Sequence, residues 1–322
     1  MSQHTVSKEA TFAGVGLHSG KVVKLTIKPA PVNHGIRFVR VDRAEKPIVP
    51  ASMCKVHDTQ LATTLSQDDV LVGTTEHLLS ALSGLEIDNA IVELNGDEVP
   101  IMDGSAAPFV RMLKGNRRKQ HASRLMMKIV KDVVYRQGDS EVRVSPHKGF
   151  KVTCRIDFDH SVIKDQRYTL EVKPDSYLKE ISRARTFGFL EQVEYLRAHG
   201  KALGGSLDNA VVIDKNGVVN EEGLRFGDEF ARHKVLDLIG DLTLLGCPIL
   251  GHVQAYKGGH TQHLAFMEAL AANPDSWQLV DYSEDGRESV LDKVRLATLA
   301  AGKKILPFLV PPCSPAPVSQ AV

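Results

Sequence analysis

The sequence predicts an α+β protein made of two similar halves, and three observations support this class. Both halves contain segments in which apolar and polar residues alternate, the pattern of half-buried strands. Each half then contains one apolar pattern at helical spacing, followed by a further strand. A polar, basic stretch at residues 114–124 (KGNRRKQHASR) interrupts the pattern between them and is interpreted as a solvated linker. Two α+β halves that face each other follow from this order.

The first half is predicted to hold three strands and a helix. Residues 22–27 (VVKLTI) and 36–41 (IRFVRV) alternate, and the Pro/Asn/Gly turn between them favours two antiparallel neighbours. Apolar residues at helical spacing predict a helix over residues 75–85. Residues 89–94 (NAIVEL) then predict a strand.

The same order recurs in the second half. Strands are predicted at residues 141–145 and 150–158, followed later by a helix at 228–245 and a strand at 249–256. Placing EHLL of the first helix over RHKV of the second puts one histidine at the same position in both helices. This weak self-similarity supports an internal repeat.

The domain boundaries follow from these patterns. We expect a first α+β domain at residues 1–118 and a second at residues 119–280. Residues 182–214 are interpreted as an insertion that holds a short helix at residues 190–199 followed by a strand. Residues 281–322 are expected to hold a helix or strand remnant and a disordered tail, because five prolines between residues 307 and 317 block regular structure.

The composition argues against several classes of function. Lys and Arg total 40 against 39 Asp and Glu, so the formal charge of +1 indicates no nucleic-acid partner. No stretch approaches the 18 apolar residues of a membrane span, and the first twenty residues lack the pattern of a signal peptide. The cysteines form no Cys-x-x-Cys pair, which argues against a zinc ribbon. We expect a cytoplasmic protein of enzyme size.

The second predicted helix carries three ionisable residues on one side. His233, Asp237 and Asp241 follow at i, i+4 and i+8 among apolar residues that favour burial of the helix. Burial of such groups costs free energy unless they are paired or bind a metal. An imidazole and a carboxylate one turn apart can both reach one zinc ion. The alternative is a buried salt bridge that holds the helix in place.

His77 has the position in the first helix that His233 has in the second. It would complete a set of two histidines and one aspartate, and three protein ligands with one open position are the pattern of a catalytic zinc site. Glu76 precedes His77, so its carboxylate would stand beside the metal as a general base for water. The alternative for Glu76 is an acid at a helix N-terminus that interacts with the helix dipole.

Residues 256–260 (YKGGH) end the last predicted strand in a two-glycine turn that presents His260 beyond it. A charged His260 would stabilise an oxyanion or protonate a leaving amine, and Asp241 would keep it charged. One alternative is an exposed histidine in a turn. Another is a His-x-x-His metal site with His263, which is disfavoured because it needs a regular helix starting directly at the glycines.

Six blocks of the sequence, taken in order, resemble one known family. They are GVGLHSG near the start, TTEHLL (74–79), VPIMDGSAAPF (99–109), SRARTFGF (182–189), GLRFGDEFARHKVLDLIGDL (223–242) and YKGGH (256–260). The family is that of the zinc-dependent UDP-3-O-acyl-N-acetylglucosamine deacetylases of lipid A biosynthesis in Gram-negative bacteria. The resemblance covers about residues 11–280.

The resemblance implies a reaction and a site. The reaction is hydrolysis of the 2-acetamido group of UDP-3-O-acyl-N-acetylglucosamine to UDP-3-O-acyl-glucosamine and acetate, the committed step of lipid A biosynthesis. In the implied site, Glu76 activates water, His260 oriented by Asp241 is the charged acid, and Lys234 and Thr186 contact the oxyanion. The implied ligands of the zinc, for which ferrous iron is the alternative, are His77, His233 and Asp237.

The resemblance also implies a fold in which helices pack between the two sheets of the halves. The insertion, with Phe187 and Phe189, resembles the family's apolar passage for the fatty acyl chain. Lys257 lies where a cation of the family meets the nucleotide phosphates. The expected partner is therefore a UDP-sugar lipid, bound by a monomer with no stable membrane insertion and at most transient contact with a membrane surface.

Two other functions stay open. A different zinc amidohydrolase acting on an acyl-amide sugar would share the metal centre and lack the acyl passage. A non-catalytic nucleotide-sugar binding protein would use His233, Asp237 and Asp241 as structural ions. The content of bound metal distinguishes the binding protein from an enzyme. The preference for acylated substrate distinguishes the other amidohydrolase from the deacetylase.

Overall fold

The first half of the chain combines two sheets with two helices. The structure is a computed structural model that describes residues 1–282 and 288–290. The elements of this half are β1 (Ser2–Val6), β2 (Ala10–Val15), β3 (Val22–Pro29), β4 (Ile36–Arg40), β5 (Ile48–Pro50), β6 (Val56–Asp58), β7 (Thr64–Gln67), β8 (Val70–Val72), α1 (Glu76–Gly84), β9 (Ala90–Leu94) and α2 (Ala107–Leu113). The strand order is β2-β3-β9-β4-β5 in the larger sheet and β6-β7-β8 in the smaller.

β3 and β4 form where the alternating patterns predict them, but they are not neighbours. β9 lies between them, antiparallel to β3 and parallel to β4. The expectation of an antiparallel pair is wrong because the strand that separates the two comes later in the chain, and a turn signal carries no information about it. Helix α1 and strand β9 agree with their predicted bounds to within one residue.

The second half is built on a larger sheet. Its elements are β10 (Arg117–Ser123), β11 (Leu125–Ile129), β12 (Val133–Gln137), β13 (Ser140–Ser145), β14 (Phe150–Ile156), β15 (Gln166–Glu171), α3 (Pro174–Ser176), β16 (Phe187–Phe189), α4 (Leu190–Ala198), β17 (Val211–Asp214), β18 (Gly217–Val218), α5 (Glu229–Leu242), β19 (Ile249–Tyr256), α6 (His260–Ala271), β20 (Trp277–Tyr282) and β21 (Glu288–Val290). The order is β12-β13-β19-β11-β20-β21, and β14 joins this sheet beside β19. The described structure confirms the predicted α+β class.

The basic stretch between the halves is a strand where a solvated linker was expected. β10 pairs antiparallel with the N-terminal strand β1. Its side chains are mostly exposed, so its sequence shows no apolar face, and the hydrogen bonds to β1 hold it in place. The predicted boundary between residues 118 and 119 falls within β10. The division into two domains and the internal repeat stay predictions.

Helices α1 and α5 pack against each other inside the hydrophobic core. This core contains apolar side chains of both large sheets and of both helices. The helices approach closely where Gly240 of α5 meets Glu76 of α1, because a Cβ atom at residue 240 would clash with the backbone of Glu76. A glycine at this crossing therefore lets the first turn of α1 lie directly against α5.

The insertion contains β16, α4 and β17, and β18 completes a small sheet with β16 and β17. Helix α4 agrees with the predicted helix to within one residue. The predicted C-terminal remnant and tail lie outside the described residues, apart from the end of β20 and from β21. Within the described part of the chain, no helix is both long enough and apolar enough to cross a membrane.

Candidate metal centre

Two buried helices bring together three side chains of types that can bind a metal. α1 supplies His77, and α5 supplies His233 and Asp237 one turn apart. Asp237 Oδ1 lies 3.2 Å from His233 Nε2 and 3.7 Å from His77 Nε2. One potential ligand atom from each of the three lies within 4.8 Å of the other two. The predicted ligands, drawn from both halves of the chain, therefore converge.

Burial determines the charges of these residues. Burial and the facing His233 lower the pKa of His77 to about 3. Burial likewise lowers the pKa of His233. Both imidazoles are thus neutral at pH 7, which is the form that coordinates a metal. Burial alone would raise the pKa of Asp237, but the charged Lys234, which donates a hydrogen bond to it, holds this pKa well below its usual range, so Asp237 is charged.

The hydrogen bonds of this group leave the inward-facing atoms free for a cation. His233 Nδ1 lies 3.1 Å from the carbonyl oxygen of Ala184, so Nδ1 carries the proton and Nε2 keeps its lone pair. Lys234 Nζ donates to Asp237 Oδ2 at 3.0 Å. Asp237 Oδ1 is buried and accepts no hydrogen bond from the described residues. An unpaired carboxylate oxygen beside two neutral imidazoles fits a divalent cation.

Glu76 begins α1, directly before the candidate ligand His77, and its carboxylate faces His260. Its side chain is buried, and Oε2 accepts the backbone N–H of Thr63 at 3.0 Å. Oε1 lies 4.0 Å from His260 Nε2. Burial raises the pKa of Glu76 to about 7. A carboxyl group with this pKa can accept a proton and release it again near neutral pH.

His260 belongs to a second group, with Asp241 and His263, in which both carboxylate oxygens of Asp241 accept hydrogen bonds. His260 Nδ1 and His263 Nδ1 each lie 2.7 Å from Asp241 Oδ2. The Thr63 hydroxyl donates to Asp241 Oδ1 at 2.6 Å. Burial would lower the pKa of His260, but Asp241 raises it to about 9. His260 is therefore charged at neutral pH, and its free nitrogen lies on the side of Glu76.

Helix α6 starts at His260, directly after the two glycines. Gln262 Oε1 accepts the N–H of Gly259 at 3.1 Å and so closes the first turn. The objection that the His-x-x-His alternative needs such a helix therefore does not hold. A second metal site is disfavoured because His260 and His263 both direct Nδ1 to the same oxygen of Asp241 at hydrogen-bond distance.

An apolar cluster adjoins the candidate ligand His233. The centroid of the Phe187 ring lies 6.1 Å from that of His233, and Lys234 Nζ lies 5.5 Å from the centre of the Phe187 ring. Phe189 contacts Phe158 at a centroid distance of 5.8 Å. Both Phe187 and Phe189 are half-buried and belong to β16. The insertion thus carries an apolar surface to the edge of the centre.

The described contacts of Thr186 and Lys257 do not involve the three candidate ligands. The Thr186 N–H donates to the carbonyl oxygen of Gly104 at 2.8 Å. Lys257 Nζ lies 3.4 Å from Asp157 Oδ2 and 5.5 Å from the centre of the Tyr256 ring. The roles expected for Thr186 and Lys257 stay predictions.

Sequence reasoning missed Thr63. This residue is buried in the loop between β6 and β7, and it contacts Glu76, Asp241 and His260. A lone threonine in a loop matches no motif, and no spacing relates residue 63 to residue 241. Its only sequence signal is its place in the polar segment before the first helix.

The chain is similar in sequence to proteins of one known family. Residues 3–272 match the family model LpxC, UDP-3-O-acyl N-acetylglycosamine deacetylase. The chain is 49% identical over 288 residues to the UDP-3-O-acyl-N-acetylglucosamine deacetylase of Teredinibacter turnerae. The aligned region covers 88% of this chain and 95% of the relative. The protein of the same name from Acidithiobacillus ferrooxidans is 50% identical over 285 residues, covering 88% and 94%. That from Pseudomonas entomophila is 47% identical over 296 residues, covering 91% and 97%.

The match to the family includes every residue of the metal centre. Residues 3–272 contain α1, α5 and the start of α6, and thus both the ligands and the hydrogen-bonded group beside them. The shared sequence and the converging donors lead to one conclusion: the chain belongs to the UDP-3-O-acyl N-acetylglycosamine deacetylase family.

Proposed function

We propose that this protein hydrolyses the 2-acetamido group of UDP-3-O-acyl-N-acetylglucosamine. The products are UDP-3-O-acyl-glucosamine and acetate, in the committed step of lipid A biosynthesis. The observation that carries the proposal is the convergence of His77, His233 and Asp237 around an unpaired oxygen in a member of this metalloenzyme family. The names of the relatives support the substrate.

His77, His233 and Asp237 would hold a divalent cation, for which we propose zinc, with ferrous iron as the alternative. Two imidazole nitrogens and one carboxylate oxygen form a ligand set used by catalytic zinc sites. When bound, such a cation supplies Lewis acidity, which lowers the pKa of water and polarises a carbonyl group.

Glu76 is proposed as the general base that takes a proton from the water attacking the acetyl carbonyl. Its place next to His77 and its pKa of about 7 support this role, because a base is most effective when its pKa lies near the operating pH. The N–H of Thr63 holds one carboxylate oxygen, so the other is available to the water.

His260 is proposed as the general acid that protonates the leaving amine. An amine is a poor leaving group unless a proton reaches its nitrogen as the bond to carbon breaks. A pKa of about 9 keeps His260 protonated at neutral pH, and the bond from Nδ1 to Asp241 leaves Nε2 to donate. The separation of 4.0 Å between His260 Nε2 and Glu76 Oε1 supports this role, because both side chains can reach one small group at hydrogen-bond distance.

Lys234 and Thr186 are proposed to stabilise the oxyanion. Burial opposes the charge on Lys234, but Asp237 raises its pKa above the usual value, so a cation stands at the edge of the metal ligands. Charged donors aimed at a developing negative oxygen are a strong source of rate enhancement. Thr186 directly precedes Phe187, whose ring contacts both Lys234 and His233.

Phe187 and Phe189 are proposed to line a passage for the fatty acyl chain. The half-buried aromatic cluster with Phe158, beside the ligand His233, supports this, because an alkyl chain is stabilised on apolar surface. Lys257 is proposed to meet the nucleotide phosphates, with Asp157 as its partner until they bind.

We further propose a cytoplasmic monomer that takes its lipid substrate by transient contact with a membrane surface. The near-neutral charge and the absence of a spanning helix among the described residues are compatible with this. The domains are proposed at residues 1–118 and 119–280, with the insertion at 182–214.

Acetate release from UDP-3-O-acyl-N-acetylglucosamine tests the proposed reaction. We expect the purified protein to release acetate, to lose this activity when a chelator removes the metal, and to regain it with zinc or ferrous iron. Retention of the full rate after complete metal removal, or no acetate from metal-loaded protein, would contradict the proposal.

The acyl passage is tested by Phe187→Glu. A carboxylate at residue 187 should reduce the preference for acylated over non-acylated UDP-sugar, because removing its charge from water against an alkyl chain costs free energy. The matched control is Tyr195→Glu, at a residue of the same insertion that is 64% exposed. An unchanged preference in Phe187→Glu would remove the passage from the proposal.

A further inference from the structure

We propose that Thr63 is a positioning residue that holds the general base and the general acid at a fixed separation across the two halves of the molecule. This inference rests on the proposed function. Thr63 is 2% exposed, and it contacts the proposed base Glu76 and the Asp241–His260 pair with different atoms. Each of these contacts constrains a different part of the site.

The backbone of Thr63 is anchored on the first turn of α1. Its carbonyl oxygen accepts both the N–H of Thr75 at 3.2 Å and the hydroxyl of Thr75 at 3.0 Å. Its own N–H donates to Glu76 Oε2 at 3.0 Å. Thr75 directly precedes α1, so Thr63, the start of the helix and the Glu76 carboxylate form one connected unit.

The side chain of Thr63 reaches the other half of the protein. Its hydroxyl donates to Asp241 Oδ1 at 2.6 Å and lies 3.2 Å from His260 Nδ1. A hydroxyl has one proton to donate, and a carboxylate without protons can only accept it. His260 Nδ1 then donates to Asp241 Oδ2 at 2.7 Å, which orients the ring so that Nε2 faces Glu76.

This hydrogen bond differs from the other bonds that Asp241 accepts. His260 and His263 both come from α6, in the same half as Asp241. Among the described hydrogen bonds of Asp241, that from Thr63 is the one that crosses from the first half. Its loss would free the acid to shift relative to the base. The described hydrogen bonds of Thr63 do not involve the metal ligands, so metal binding should be unaffected.

The test uses three variants in the metal-loaded enzyme. Thr63→Val keeps the shape and the N–H but removes the hydroxyl, Thr63→Ala removes it with less bulk, and Thr63→Ser keeps it. The matched control is Thr153→Val in β14, a buried threonine whose hydroxyl lies 2.8 Å from His252 Nε2. For each variant, kcat and KM for acetate release, metal content and folding by circular dichroism are measured.

We expect kcat to fall about tenfold to a hundredfold in Thr63→Val and Thr63→Ala, the factor that one hydrogen bond to a charged group contributes. KM and metal content should stay unchanged, and Thr63→Ser and Thr153→Val should keep kcat near that of the wild type. This split between kcat and KM, with rescue by serine, is not expected of a residue that only stabilises the fold.

Four results would overturn the positioning role. They are an unchanged kcat in Thr63→Val, an equal loss in Thr63→Ser, loss of metal, or failure of both Thr63→Val and Thr63→Ala to fold, which would assign the hydroxyl to stability. The wild-type protein separates the two proposals. If it releases no acetate, the proposed function fails; if it is active and Thr63→Val is equally active, only the role of Thr63 fails.

Discussion

Two groups, each of two histidines and one aspartate, meet at α5, where their aspartates lie one helical turn apart. The groups differ in the hydrogen-bond partners of their polar atoms. We define the metal group as His77, His233 and Asp237 and the acid group as Asp241, His260 and His263. In the metal group, one oxygen of Asp237 is buried without a hydrogen-bond partner among the described residues. In the acid group, both oxygens of Asp241 accept hydrogen bonds.

The difference shows that residue types do not by themselves decide the chemistry. Burial keeps the imidazoles of the metal group neutral, with lone pairs that can bind a cation. In the acid group, Asp241 raises the pKa of His260 to about 9, so that imidazole holds a proton it can donate. Burial and hydrogen-bond partners therefore distinguish a group suited to metal binding from one suited to proton donation, although both groups include a residue of α5.

The largest expected effect separates the two groups by metal content. Asp237→Asn should bring the bound divalent cation and the acetate-release rate close to zero, because the ligand loses its charge and part of its lone-pair set. Asp241→Asn should keep the cation and lose about a hundredfold or more in rate, as expected for general acid catalysis. Elemental analysis of both purified variants makes the comparison. Metal loss in Asp241→Asn with retention in Asp237→Asn would reverse our assignment of the groups.

A somewhat smaller effect is expected for the carboxylate that lies between the groups. Glu76→Ala should retain the metal and reduce acetate release by about 10² or more, the lower range of general-base contributions. The control is Glu93→Ala, which removes a carboxylate paired with Lys28 at 2.8 Å on β9. Full activity of Glu76→Ala would remove Glu76 from the mechanism, and loss of metal would make it part of the metal group.

A further expected effect concerns stability and pH in the metal-free protein and involves no loss of acetate release. The pKa of His260 is raised from 6.5 to about 9 in the folded state, so its contribution is fully present below pH 6.5 and is lost as the pH rises through 9. The loss should be on the order of 3 kcal/mol, at 1.36 kcal/mol per pKa unit.

Urea unfolding of metal-free wild type and His260→Gln measures this loss. The free energy of unfolding of the wild type should fall more steeply between pH 6.5 and about 9.5 than that of the variant. Identical slopes would mean that Asp241 does not hold a proton on His260, and the contrast between the two groups would then disappear.

Elements with a strong local pattern could be predicted closely. α1, α4 and β9 lie within one residue of their predicted bounds, and β19 coincides with its prediction. α5 covers most of the predicted helix, and its last predicted residues, Thr243–Leu245, form a 3₁₀ turn. These elements follow from apolar periodicity, which depends on neighbouring residues alone.

Pairing between distant segments could not be predicted. β9 inserts between β3 and β4, and β1 pairs with the basic segment β10 that resembled a linker. Neither event leaves a trace within the segments concerned, because a strand's partner is chosen by the packing of the whole sheet. The same holds for Thr63, whose importance comes from Asp241, 178 residues away.

The amino-acid sequence by itself determined which side chains are available for chemistry. It placed His233, Asp237 and Asp241 on one side of a helix. It also indicated that His77, from a different helix, joins His233 and Asp237. Only the tertiary structure decided how they divide, because Gly240 lets α1 lie against α5 and brings Glu76 and His77 to that helix. Helical spacing is a local property, whereas the pairing of a buried polar atom depends on residues that meet only in the folded chain.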